Sequence, residues 1–273
     1  ALGRIGSPEL AEKVIKDGYG DLIGMSRALV TDAAWPEKAR SGNVKDIRPC
    51  VYDNFSWGEI HLGKPLTEHH NPHVGKKNEA FYKLKATEYS KRILVIGGGA
   101  AGLEAAWVAA ARGHGVTLFN ASPCLGGSLM TESKLPGRTE MADIIHYQTH
   151  LGDTYGVEYV LDHKASISDI TEFSADEVVL ATGAIQRTPV GLETDKNVVS
   201  TRDFAVNSVG YKGHLAVLVD EDFGAATYGV ADLLAENFSK VIIITSRSRL
   251  AGNVNHCSAI GVFRRLYSAG IDI

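Results

Sequence analysis

The residues of this chain best placed to do chemistry are glycines. Gly97, Gly98, Gly99 and Gly102 follow the apolar run Ile93 to Ile96 and supply G-x-G-x-x-G at a strand-to-helix turn, a pattern that lays a pyrophosphate against backbone amides. Gly97 permits the tight turn, Gly99 lets the backbone approach the phosphates, and Gly102 lets the helix pack closely on the strand. Ala100 and Ala101 open a helix predicted to run to about Arg112, and its first-turn N–H groups favour an anion. A second strand, Val116 to Phe119, should end in Asp or Glu to hold the ribose hydroxyls of an adenosine. Asn120 stands there instead and can accept a hydrogen bond without the charge-assisted strength of a carboxylate.

The elements around this turn predict an α/β chain. Its 273 residues suggest about two units of folded structure, and 44% hydrophobic with 22% charged residues is an ordinary globular balance. A formal charge of −4 without long basic runs argues against a nucleic-acid surface, and no apolar run is long enough to span a bilayer. Cys50, Cys124 and Cys257 are too few and too scattered for a disulfide framework, and the chain does not open on a signal peptide, so the cytoplasm is the expected compartment. Ala1 in place of an initiator Met suggests a fragment or a processed piece.

Along the chain, Ser7 and Pro8 start a helix that continues amphipathically through Leu10 to Ile15, and Asp21 to Met25 is predicted to be a buried strand. The stretch from about Ser41 to Ser90 is rich in His, Asn, Gly and Pro and predicts no long element. After the fingerprint a buried strand is expected in VVLATGA, Val178 to Ala184. A second Rossmann-like unit then opens with strand Leu215 to Val219, a helix from about Ala225 to Glu236, and strand Val241 to Ile244. It has no glycine fingerprint. Asp220, Glu221 and Asp222 stand where a nicotinamide cofactor's pyrophosphate would need amides or positive charge, so like-charge repulsion disfavours that ligand. The Cys, His and carboxylate spacings reveal no catalytic constellation, and His61, His69, His70 and His73 have no metal-ligand spacing.

The ordered series GRIGSPELAEKVIKDGYGDLIGMSRALVTDAAWPEKARSG, IRPC, NPHVG, VIGGGAAGLEAA, LGGSL, LPG and ATGA resembles the trimethylamine dehydrogenase and 2,4-dienoyl-CoA reductase family of flavoproteins, over nearly the whole chain. The resemblance implies four parts: 1–44 as the end of an old-yellow-enzyme-like TIM barrel holding FMN, 45–90 as a linker resembling a 4Fe-4S segment, 91–205 as an FAD- or ADP-binding domain, and 206–273 as the second Rossmann-like unit, incomplete. By that likeness Gly24 and Arg27 belong to the FMN phosphate grip after the last barrel strand, in agreement with the usual phosphate site of such barrels. FMN is expected only if the missing strands are supplied by an absent segment or a partner chain. Gly126 and Gly127, in LGGSL, resemble a segment near the flavin or its pyrophosphate, and Thr182 and Gly183, in ATGA, resemble the strand end where the chain leaves for the inserted unit.

The cluster segment of that family needs four cysteines, because its iron takes soft thiolate ligands. Here Cys50 stands with Asp53 and Ser56 at the second and third places and Glu68 or His69 near the fourth, so no 4Fe-4S cluster is expected. The resemblance therefore implies the nucleotide-binding, electron-transfer part of a flavin-dependent oxidoreductase, oligomeric, with an electron-transfer flavoprotein as a candidate partner. Two alternatives stay open: a noncatalytic assembly subunit that keeps the fold, and an NAD(P)H-dependent flavin reductase.

Overall fold

A computed structural model of the chain describes residues 1–188, 190–192 and 195–273. In chain order the first elements are α1 (Pro8–Lys16), α2 (Arg27–Thr31), α3 (Trp35–Arg40) and α4 (Phe55–His61), followed by β1 (Arg92–Ile96), α5 (Ala100–Ala111) and β2 (Gly115–Phe119). Next come α6 (Gly127–Glu132), α7 (Met141–Tyr155), β3 (Glu158–Val160), α8 (Ile167–Phe173) and β4 (Glu177–Leu180). The series closes with α9 (Thr201–Asn207), β5 (Gly213–Asp220), α10 (Ala225–Asn237), β6 (Phe238–Thr245) and α11 (His256–Ser268). The fold is α/β with parallel sheets, as the alternation of elements implies. Among the described residues no helix is long and apolar enough to cross a membrane.

The chain divides into two units. The first takes Ala1–Tyr52, Pro65–Leu129 and Ala142–Gly183; the second takes Asp53–Lys64, Met130–Met141 and Ala184–Ile273. The first unit holds a four-stranded parallel sheet in the order β3-β2-β1-β4, with Arg92 opposite Gly115 and Ile93 opposite Glu177 in register. β1 is central, so its apolar run has a strand on each side, and Leu94 and Val95 are fully buried. Leu103 and Ala106 of α5 are buried too. α5 also anchors the stretch before the fingerprint. Glu104 Oε2 accepts from Trp107 Nε1 (2.7 Å) and Gln148 Nε2 (2.9 Å), while Arg48 Nη1 lies 3.6 Å from Glu104 Oε1 and its guanidinium stands 4.9 Å from the Tyr147 ring centre.

The second unit is built on the parallel pair β5 and β6, with a core of Leu218, Tyr228, Ile243 and Leu266. Both strands and α10 start and stop within a few residues of the sequence expectation, because an alternating strand, a Gly-containing turn and an apolar helix follow one another without competing signals.

Two expectations are corrected. Asp21 to Met25 does not form a buried strand: a single parallel bridge joins Gly24 to Leu2, and Leu22 is 80% exposed. An apolar run becomes a buried strand only between neighbours, and this one has none beyond that bridge among the described residues. Likewise VVLATGA forms strand only to Leu180, and Val178 and Leu180 are 40% and 72% exposed. β4 is the edge of its sheet and pairs with β1 alone. The stretch from about Ser41 to Ser90 matches its reading, with α4 of seven residues as its α-helix.

Candidate nucleotide-binding site

The three fingerprint glycines are glycine for different reasons. Gly97 has φ of +112°, and a Cβ there would lie 2.3 Å from the Ala181 carbonyl oxygen. On Gly102 a Cβ would lie 1.8 Å from the carbonyl oxygen of Gly97, so the closeness of α5 to the turn depends on its absence. Gly99 differs. Its backbone is extended (φ −80°, ψ −179°), and a Cβ on it would meet no atom within 4 Å. No packing within the protein demands glycine at 99. What a Cβ would fill is open space in front of α5, where the first-turn N–H groups of Ala100 and Ala101 have no carbonyl of their own helix to bond.

The opposite wall of that space is the segment after β2. Gly126 donates its N–H to the Gly98 carbonyl (2.7 Å) and forms a parallel bridge with Gly99, and a Cβ on Gly127 would stand 3.3 Å from the Gly99 Cα. Asn120 closes the corner: its Oδ1 accepts from Gly98 N–H (3.0 Å), and its Nδ2 donates to the carbonyls of Ser122 (2.7 Å) and Cys124 (2.9 Å). Thr182, just past the end of β4, borders the turn, its Cα 3.2 Å from the place of a Gly97 Cβ, and a Cβ on the following Gly183 would meet nothing within 4 Å. The structure thus gathers Gly97, Gly99, Ala100, Ala101, Gly102, Asn120, Gly126, Gly127 and Thr182 around one cradle. Spacing points to the glycines; the role of Asn120 as a donor to two carbonyls has no sequence signal beyond the turn-forming Ser122 and Pro123 beside it.

Gly24 and Arg27 make none of these contacts. The Gly24 N–H donates to the Ala1 carbonyl (2.7 Å), and Arg27 donates to the Tyr52 carbonyl (3.4 Å) with its guanidinium 4.9 Å from the Tyr52 ring centre.

The family model described as pyridine nucleotide-disulphide oxidoreductase matches residues 91–217, which include the whole cradle. A metal reductase of Desulforamulus reducens is 39% identical over 212 residues, covering 74% of this chain and 31% of that protein. An NADH oxidase of Thermoanaerobacter brockii is 31% identical over 278 residues, covering 99% of this chain and 42% of that protein. Among solved structures, the 6-hydroxypseudooxynicotine amine oxidase of Pseudomonas geniculata N1 superposes with a TM-score of 0.91 at 30% identity, over 100% of this chain and 43% of that one. The chain belongs to the trimethylamine dehydrogenase and 2,4-dienoyl-CoA reductase family. It spans less than half the length of these relatives.

Two of the side chains read from the sequence at the cluster places, those of Asp53 and Glu68, bond to the local backbone. Asp53 Oδ1 accepts from Phe55 N–H (3.0 Å), and Glu68 Oε2 accepts from the N–H groups of His70 (2.8 Å) and Asn71 (2.9 Å). His73 stacks on Tyr82 with ring centres 3.6 Å apart, and burial lowers its pKa. Among the described residues no three His, Cys, Asp or Glu side chains converge as a metal site. Burial, reinforced by the Glu68 charge, pushes the Cys50 thiol above its ordinary pKa, against the opposing effects of Thr31, the Tyr52 backbone and Arg27. The thiolate is the reacting form, so Cys50 is expected to resist iodoacetamide at pH 7.5 while the exposed Cys124 is modified, and its labelling should keep rising through alkaline pH. Peptide mapping checks this; equal labelling of the two at pH 7.5 would contradict it.

The acidic turn after β5 is arranged differently from the sequence expectation. Asp220 does not face a ligand: it is 1% exposed and accepts from Phe223 N–H (2.9 Å) and the Tyr228 hydroxyl (2.5 Å). That hydroxyl in turn accepts from Ala251 N–H (2.6 Å). Asp222 does lie at the start of α10, where Oδ1 accepts from Gly224 N–H (2.8 Å) and Thr227 Oγ1 (2.6 Å). A helix start that would attract a phosphate is already met by the chain's own acidic side chain.

Proposed function

We propose that this chain is the nucleotide-binding, electron-transfer part of a flavin-dependent oxidoreductase and holds the diphosphate of FAD or ADP against Gly99, Ala100 and Ala101. The observation that carries the reading is Gly99: of the fingerprint glycines, it is the one whose missing side chain leaves room for something that is not protein. Gly126 and Gly127 form the facing wall, and Thr182 and Gly183 border the turn. A bound flavin supplies the redox chemistry; the residues named here bind and orient it. In this reading the Leu2 to Gly24 bridge is a remnant of adjacent barrel strands, Gly24 and Arg27 grip an FMN phosphate once an absent segment or a partner chain completes the barrel, and no 4Fe-4S cluster is assembled.

Asp222 at the start of α10 speaks against the reading as an NAD(P)H-dependent reductase. A noncatalytic assembly subunit is the second reading, favoured by Asn120, whose side chain is bonded to its own loop. The purified chain is expected to release FAD or ADP on denaturation, identified by mass, or to bind added ADP with micromolar or tighter affinity. Protein that carries no nucleotide and binds neither ADP nor FAD would leave the assembly reading standing.

A further inference from the structure

We infer that the fingerprint site recognises a nucleotide through its diphosphate and not through its ribose, because Asn120, at the ribose position, is committed to locking the phosphate cradle. The inference rests on the nucleotide-binding reading above. Three backbone groups meet the Asn120 amide: one N–H, from Gly98, and two carbonyls, from Ser122 and Cys124. One orientation of the amide satisfies all three, with oxygen toward Gly98 and nitrogen toward the carbonyls. Both amide hydrogens and one oxygen lone pair are then used, which leaves one lone pair for the two hydroxyls of a ribose.

The lock also explains why the acidic residue usual at this place is absent. An ionised carboxylate only accepts, so Asp at 120 would turn an oxygen toward two carbonyl oxygens and leave both without their donor. Glycine at 98 makes room for this amide: a Cβ there would lie 2.9 Å from Asn120 Cγ and 2.7 Å from Leu125 Cδ2. What Asn120 ties down is the loop that ends at Gly126, whose N–H reaches the Gly98 carbonyl and which bridges Gly99. Asn120 is thus a positioning residue that sets the two walls of the cradle before a phosphate arrives, which lowers the ordering cost of binding.

The test is a calorimetric titration of the full chain with ADP, 2′-deoxy-ADP and pyrophosphate, joined to hydrogen exchange on the nucleotide-free protein. ADP and 2′-deoxy-ADP are expected to bind within about tenfold of each other, the most that one neutral hydrogen bond supplies. A larger preference for ADP overturns the inference. Asn120→Asp, which restores the acidic residue, is expected to weaken ADP binding about tenfold relative to the wild type at pH 8, and that ratio is expected to shrink as the pH falls toward 5 and the carboxyl regains one donor hydrogen for the two carbonyls; the ratio is taken at each pH because the terminal phosphate of ADP itself takes up a proton at about pH 6. Tighter binding by Asn120→Asp, or loss without recovery, overturns it. Exchange at 121–126 is expected to rise about tenfold in the variant with β1 unchanged; unchanged exchange at 121–126 removes the lock. If the wild type binds neither ADP nor pyrophosphate, the proposed function and the specificity statement fall together, and the exchange arm alone decides the lock.

Discussion

Gly102→Ala is expected to destabilise the nucleotide-binding unit by about 3 kcal/mol or more, while Gly99→Ala leaves it as stable as before and weakens ADP binding about tenfold. The two glycines belong to one motif but differ in what surrounds them. At 102 a methyl group would stand 1.8 Å from the Gly97 carbonyl oxygen, which is backbone and cannot turn aside as a flexible side chain could. Either α5 retreats from β1 or the turn opens, and both disturb the buried Leu94, Val95 and Leu103. At 99 the backbone is extended, a conformation open to any residue, and the methyl meets no protein atom. Removing a glycine there reduces the freedom of the unfolded chain, which offsets the poorer helix cap that Ala makes at this position, so the melting temperature should stay close to that of the wild type. Thermal melts with ADP titrations check the pair. Unchanged ADP affinity in Gly99→Ala would show that the space in front of α5 is not where the nucleotide lies.

The second large effect is expected at Tyr228. Tyr228→Phe keeps the ring and its packing and removes one oxygen, yet it should cost about 3 kcal/mol in urea unfolding of the second unit. That oxygen donates to Asp220 and accepts from Ala251 N–H, and both Tyr228 and Asp220 are buried, at 0% and 1% exposure. Its removal takes a partner from a buried carboxyl and orphans a buried N–H. The two loops it holds include Phe223 and Ala251, at φ of +58° and +57°, a region that residues with a Cβ seldom adopt and keep only under external restraint. Asp220→Asn, which retains an acceptor for Phe223 N–H, should cost less. Burial and the bond to Asp220 raise the Tyr228 hydroxyl above the ordinary tyrosine range. Its folded value lies above its unfolded value, so the contribution is complete below pH about 10 and is lost as pH rises through the folded value. A Tyr228→Phe protein as stable as wild type at pH 7 would mean that the hydroxyl is not the tie between the loops.

Legibility in the sequence followed locality. β1, α5 and β2 could be placed from the sequence because strand period, glycine turn and alanine-rich helix all lie within Arg92 to Phe119 and agree with one another. Strand burial was not local. Asp21 to Met25 and VVLATGA have apolar runs like that of β1, but burial depends on which strands stand alongside, and that is settled far away in the chain. The 15-residue α7 was missed even though Met141, Ile144, Ile145, Gln148 and Leu151 are spaced for one buried helix face, all of them buried. At the site, glycine identity could be read and glycine purpose could not: that Gly102 serves packing and Gly99 faces open space appears only when a side chain is placed on each. Asp220 shows the same limit for charge. A run of three acidic residues reads as a negative surface, and one of them faces inward to hold a tyrosine.

The two units also determine how this protein can be taken apart. The chain changes unit at 52/53, 64/65, 129/130, 141/142 and 183/184, so neither unit is an uninterrupted stretch of sequence. A single stop codon or a single protease cut cannot yield one unit whole. Shortening the gene to 184–273, for example, leaves behind Leu135, which packs in the core with Tyr228 and Val230, and the 53–64 stretch whose Asp53 carbonyl receives hydrogen bonds from Asn255 and Ser258. Truncation is therefore a poor way to assign activities to parts of this chain, and point substitutions at Gly99 and Tyr228, one in each unit, separate them instead.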